Sequence, residues 1–121
     1  MEVFLDSNFI IYCIKKKIDF LSKLEEQGFR IILPREVFQE LKDLRLKLHH
    51  EDKIAIDIAL ELFNSKKIEK VTLSGLSVDE GLILKGKKGA YIATLDNKIR
   101  HIVPNKIGIS DYSKNILIER T

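Results

Sequence analysis

The chain has 121 residues, 45% of them hydrophobic and 32% charged, with a formal net charge of +3. That is enough for one domain with a single apolar core, no apolar run approaches the ~20 residues that cross a bilayer, and the charge is far too weak for a histone-like tail. Cys13 is the one cysteine; an intrachain disulfide and a cysteine metal cluster are therefore excluded, and a buried small hydrophobe is its expected role.

Short β-rich runs alternate with longer helical ones, the rhythm of βαβ units on a parallel sheet. The first strand is expected at Glu2 to Leu5, followed by a helix from about Ser7 to Lys16 with Phe9, Ile10, Cys13 and Ile14 on one face. A second helix runs from Asp19 to Glu26 and stops at Gly28, and the second strand is Arg30 to Leu33. Pro34 fits a first-turn position of a helix whose apolar stripe, Val37, Phe38, Leu41, Leu44 and Leu48, continues to His49. The next helix spans about Asp52 to Asn64, with Ile54, Ile58 and Leu62 at i, i+4 spacing, and Ile68 to Leu73 makes a third strand. Ser77 and Glu80 form a capping-box pattern opening a helix that ends in the Gly86 to Gly89 turn. Ala90 to Ala93 is a buried fourth strand, Leu95 to about His101 a short helix and Lys106 to Ile109 a fifth strand, with a further candidate at Asn115 to Ile118.

In such a sheet ligands bind beyond the carboxyl ends of the strands, so acids at strand-to-helix junctions converge even when distant in sequence. Asp6 follows the first strand, Asp79 lies in the first helical turn after the third, and Asp96 comes just past the fourth. Glu40 is about a turn and a half into the helix after the second strand, within reach of the same edge. Taken singly, Asp6 reads equally as a helix cap, Asp79 and Asp96 as complements to a helix dipole, and Glu40 as a solvated acid. Together, four crowded carboxylates repel one another unless a cation joins them. An oxygen-only site of this kind selects a hard divalent ion, Mg²⁺ or Mn²⁺, which commonly completes its shell with substrate phosphates, and a metal-dependent phosphodiesterase follows.

The segments FLDSNFII, ILPREVFQELKDL, LSVDEGLI and AYIATLDNKIR resemble, in order and spacing, the motifs of PIN-domain ribonucleases over nearly the whole chain. The likeness is to small stand-alone archaeal-type PIN proteins akin to rRNA-processing nucleases, and toxin-type PIN proteins share the fold. The resemblance implies a three-layer α/β/α sandwich around a mainly parallel sheet of about five strands, formed by residues 1–121 as a single domain. It implies Mg²⁺- or Mn²⁺-dependent cleavage of RNA, with Asp6, Glu40, Asp79 and Asp96 as catalytic metal ligands. A homodimer, an antitoxin and a ribosome-assembly partner are the associations it suggests. The Lys- and Gly-rich stretch Leu84 to Gly89 and the tail after Arg100 depart from the family pattern.

Around these acids, Asn8 and Thr94 are candidate supporting groups, while Ser7 is expected to be a plain helix cap. Lys42, Arg45, Lys47, Lys85, Lys87, Lys88, Lys98 and Arg100 follow the acids in sequence, where basic groups would attract a phosphate backbone. His49 and His50 are adjacent on a helix and diverge, so no zinc site is expected. FLDSN lacks the paired acids of aspartyl-phosphate enzymes, and there is no P-loop or GxGxxG. The alternative to a nuclease is a non-catalytic PIN module that binds RNA or a protein partner. No signal peptide is expected, because Glu2 and Asp6 bracket the first apolar run without a basic lead or a cleavage site; a cytoplasmic protein with no membrane association is the corresponding expectation.

Overall fold

Val3, Phe4 and Leu5 are all buried, as a strand covered on both faces requires. In the computed structural model, which describes every residue except Lys67, Leu76 and Thr121, they form the middle of a sheet. The elements in chain order are β1 (Glu2–Leu5), α1 (Ser7–Lys15), α2 (Phe20–Glu26), β2 (Arg30–Pro34), α3 (Arg35–Arg45), α4 (His50–Ser65), β3 (Glu69–Val71), α5 (Val78–Lys87), β4 (Tyr91–Ala93), α6 (Asn97–Ile102), β5 (Lys106–Ser110) and β6 (Asn115–Glu119). Leu76, the first residue of the LSVDEGLI segment, lies outside the described residues.

The strand order is β3-β2-β1-β4-β5-β6. The first five strands are parallel and β6 returns antiparallel to β5. The sheet thus has six strands rather than about five, because the candidate run at Asn115 pairs along the edge of β5. Alternate side chains face opposite layers. Val3, Leu5, Ile31 and Leu33 join a core with α1 to α4, while Phe4, Ile32 and Ile92 join Leu82 of α5 and Ile99 of α6. Helices therefore cover both faces, and the three-layer α/β/α architecture holds. No helix among the described residues is long and apolar enough to cross a membrane.

Several local expectations need correction. Pro34 ends β2 in an extended conformation (φ −60°, ψ 138°) and precedes α3 instead of entering it. The helix expected to run on to His49 stops at Arg45, where i→i+3 bonds from Leu46 to Asp43 and from Lys47 to Leu44 tighten the chain into a turn. That break lets α4 begin at His50 and fold back against α3. On α4 the buried face is Ala55, Ile56, Ala59 and Phe63. Ile54 and Ile58, expected on the apolar face, are 47% and 49% exposed, because the two alanines let the helix pack closely and turn its larger isoleucines outward. β3 covers only Glu69–Val71, and α6 starts at Asn97 with Asp96 as its cap.

Candidate functional site

The strand order reverses direction between β1 and β4: the chain moves outward to β2 on one side of β1 and to β5 on the other side of β4. Such a switch point opens a crevice at the carboxyl ends of the two strands. Asp6 and Thr94, the residues that follow β1 and β4, stand there side by side.

Asp6 continues the ladder for one step, its N–H donating to Ala93 O at 2.9 Å. Its carboxylate then does two things. Oδ1 accepts the Ser7 N–H at 2.9 Å and caps α1, and Oδ2 accepts the Thr94 hydroxyl at 2.7 Å. Asp6 is 5% exposed and Thr94 is fully buried. Burial pushes the Asp6 carboxyl up from its ordinary value; the bonds from Thr94 and Ser7 pull it back in part, and the nearby charges of Glu40 and Asp79 push it up further. Asp6 is both the cap of α1 and within electrostatic reach of Glu40 and Asp79.

Ser7 corrects the expectation of a plain cap. It lies inside the first turn of α1, and its hydroxyl donates to Glu40 Oε1 at 2.5 Å. One side chain thereby ties the start of α1 to α3 and aims Glu40 at the end of β1. One turn earlier on α3, Glu36 accepts the Leu73 N–H with both oxygens, at 2.9 and 3.1 Å. This anchors Leu73 just past β3; further on, Ser77 accepts the Glu80 N–H at 3.1 Å and Asp79 occupies the first turn of α5. Sequence reading missed Glu36; its only signal was an acid four residues before Glu40, hence on the same helical face.

Asp96 approaches from β4 by another route. Its N–H donates to Thr94 Oγ1 at 3.1 Å, and its Oδ1 accepts the Lys98 N–H at 2.9 Å to cap α6. Asn8 Oδ1 accepts the Leu95 N–H at 3.1 Å and lies 3.4 Å from Thr94 Oγ1. The two expected supporting groups, Asn8 and Thr94, thus meet around one hydroxyl that bonds to Asp6 directly and to Asp96 through its backbone. Glu40 and Asp79 act on Asp6 through space.

The basic residues divide sharply. Arg100 has its guanidinium turned inward, donating to Thr94 O at 3.1 Å, Ile107 O at 3.3 Å and Glu119 at 2.5 Å. A Cβ on Gly108 would stand 2.9 Å from that guanidinium, so glycine leaves the room it occupies. Arg45 is paired with Asp57, and the ammonium groups of Lys42 and Lys85 lie over the rings of Phe38 and Phe4. Lys47 lines an open groove on α3 with Glu36, Gln39, Glu40, Asp43 and Leu44. Lys87, Lys88 and Lys98 are exposed.

Carboxylates, a hydroxyl and an amide make an all-oxygen donor set of the kind Mg²⁺ and Mn²⁺ take. Among the described residues no three His, Cys, Asp or Glu side chains are grouped so that they could hold a metal ion, so Asp6, Glu40, Asp79 and Asp96 do not stand together as one ligand set. The raised Asp6 carboxyl is the group a cation would relieve.

A family model described as a PIN like domain matches residues 3–109. The solved structure of the PIN domain endonuclease Utp24 is similar over 99% of this chain and 92% of that chain, with a TM-score of 0.76 at 20% identity, a likeness of fold. No curated protein sequence matches the chain.

Proposed function

Since the chain belongs to the PIN-like domain family, we propose that it is a divalent-metal-dependent endoribonuclease that hydrolyses RNA phosphodiester bonds, with Mg²⁺ or Mn²⁺ at the acids beyond β1 and β4. The observation that carries this reading is the state of Asp6: a carboxylate buried at the switch point, pushed up by burial and by the charges of Glu40 and Asp79. Burial and the neighbouring charges oppose its ionisation, a cost that a bound cation would relieve.

Asp6 and Asp96 are the primary ligands in this reading, and Glu40 and Asp79 complete the site directly or through water. The bound ion would polarise the scissile phosphate and make a bound water more acidic. The protein's own share is pre-organisation. Thr94 and the Ser7 N–H fix both oxygens of Asp6, Ser7 fixes Glu40, and Glu36 fixes the segment before Asp79. Asn8, its carbonyl oxygen engaged by Leu95, has its amide NH₂ left as a donor suited to a phosphate oxygen.

An RNA in ribosome assembly, as the likeness to Utp24 suggests, or the target of a toxin-type nuclease with an antitoxin partner would use the same chemistry. A homodimer would have the exposed Ile54 and Ile58 of α4 as an apolar surface. Thermal unfolding with Mn²⁺, Mg²⁺ or EDTA tests the metal assignment. Saturation at 100 times the dissociation constant adds about 2.7 kcal/mol to the stability of a protein that binds the ion only when folded. Both ions should raise the wild-type Tm and leave Asp6→Asn nearly unmoved; an equal rise in the two would remove Asp6 from the metal site.

A further inference from the structure

Three helices end in the same way. After α1, α2 and α5 the next-but-one residue turns left-handed: Lys17 (φ 58°), Gly28 (φ 85°) and Gly89 (φ 105°). Each has the paired bonds of a Schellman turn, Lys17 N–H to Ile14 O with Ile18 N–H to Cys13 O, and their counterparts at Gly28 and Gly89. Two of the three use glycine, which reaches this conformation without strain, and α1 alone carries a lysine. The other left-handed residue that is not glycine, among the described residues, is Lys114 (φ 51°) in the turn between β5 and β6. Both strained positions therefore hold a lysine.

The two lie beside one depression. A hollow of about 220 Å³ is lined by Tyr12, Lys16, Ile18, Asp111 and Lys114. It joins the end of α1, where Lys17 stands between Lys16 and Ile18, to the tip of the β5–β6 ribbon. The Tyr12 hydroxyl donates to Asp111 and pins the tip to α1, while the Lys16 ammonium lies 5.7 Å from the centre of the Tyr12 ring. Tyr112 at the same tip is fully exposed, at 102%. β5 is in register with β4 at Ala93 and Ile107 and continues three residues further, about 10 Å, so the ribbon leaves the sheet at the edge that carries Asp6 and Asp96.

We propose that the end of α1 and the β5–β6 tip form a docking surface for single-stranded RNA, with Lys16, Lys17 and Lys114 contacting phosphates and Tyr112 stacking on a base. Strain kept at two positions in favour of a cation, beside an aromatic ring with no packing partner, is the pattern of a strand-binding platform: charge follows the backbone and a flat ring takes any base. The ring gives no advantage to a merely acidic peptide, so nucleic acid is favoured over a protein partner. The choice of RNA as the strand rests on the ribonuclease reading above.

The test is fluorescence anisotropy of a labelled single-stranded RNA in EDTA, where cleavage plays no part, using the wild type, the Lys17→Gly/Lys114→Gly double variant and Tyr112→Ala. Glycine at the two left-handed positions removes charge and strain together, so the double variant should melt at or above the wild-type temperature. It should bind several-fold more weakly, with a salt slope shallower by about 1.4, about 0.7 for each lost contact. Tyr112→Ala should lose roughly fivefold or more with its slope unchanged. Unaltered affinity in both variants, absence of strand binding by the wild type, or equal competition by a polyglutamate peptide overturns the proposal. Metal-dependent cleavage that survives intact in the double variant would sink this surface and leave the nuclease reading standing; lysine-dependent binding without cleavage would do the reverse.

Discussion

Thr94 donates its hydroxyl hydrogen to Asp6 Oδ2 at 2.7 Å while accepting the Asp96 N–H at 3.1 Å, so one buried hydroxyl couples the acids that follow two adjacent strands. Thr94→Val keeps the shape of the side chain and leaves both partners unsatisfied in a buried place. It should cost about 1–3 kcal/mol in urea unfolding. Thr94→Ser should recover most of that loss. Equal stability of the valine variant and the wild type would mean that the hydroxyl has no organising role.

Asp6 gives a pH dependence with a definite sign. Its folded-state pKa is raised above the ordinary 3.8, so the folded protein holds the proton more tightly than the unfolded chain. That stabilisation is present at pH below 3.8 and is lost as the pH rises through the raised value. In EDTA, Asp6→Asn should therefore match the wild type at low pH and become the more stable of the two toward neutrality. The local bonds permit the change, because Thr94 Oγ1 can accept from the new amide and turn its hydrogen to Asn8 Oδ1, 3.4 Å away. A stability difference that is flat from pH 3 to 8, or a variant that unfolds at pH 7, would contradict this.

Glu36 is expected to matter for Asp79. Removing its carboxylate leaves the Leu73 N–H without its partner and frees the segment before α5. Glu36→Ala should lose about 1–2 kcal/mol of stability and weaken Mn²⁺ binding. Glu36→Gln keeps one acceptor and should fall between. Hydrogen exchange at the Leu73 amide reports the change directly; protection unchanged in the alanine variant would show the contact to be incidental.

Cys13 should be inert in the folded protein. It is fully buried on α1, and burial pushes its thiol up to about 12. A thiol reagent should label it only at the rate of unfolding. Immediate labelling of the native protein would place it at the surface.

The sequence carried the broad architecture because its signals are local: Val3 to Leu5 and Ile31 to Leu33 read as buried strands, and the acids follow from where strands end. It could not carry features set by partners distant along the chain. Glu36 looks like any acid in a first helical turn until Leu73, 37 residues later, comes to it. Ser7 was indistinguishable from a cap because Asp6 beside it is equally able to cap, and what decides is Glu40 from α3. On α4, Ile54 with Ile58 and Ile56 with Phe63 are competing stripes of similar hydrophobicity. The smaller neighbours Ala55 and Ala59 settle the choice by permitting close contact with the core. The candidate acids could be named from where the strands end, whereas the hydroxyl and carboxylate bonds around them could not.

The most direct measurement is cleavage of labelled single-stranded and structured RNA by the wild type and by Asp6→Asn, each with Mn²⁺, Mg²⁺ or EDTA. Expected is cutting by the wild type with either ion, none in EDTA, and a loss of at least a hundredfold in the folded variant, on the order of 3 kcal/mol of transition-state stabilisation. Cutting that persists in EDTA, or that Asp6→Asn retains undiminished, would contradict a metal-dependent centre built on Asp6.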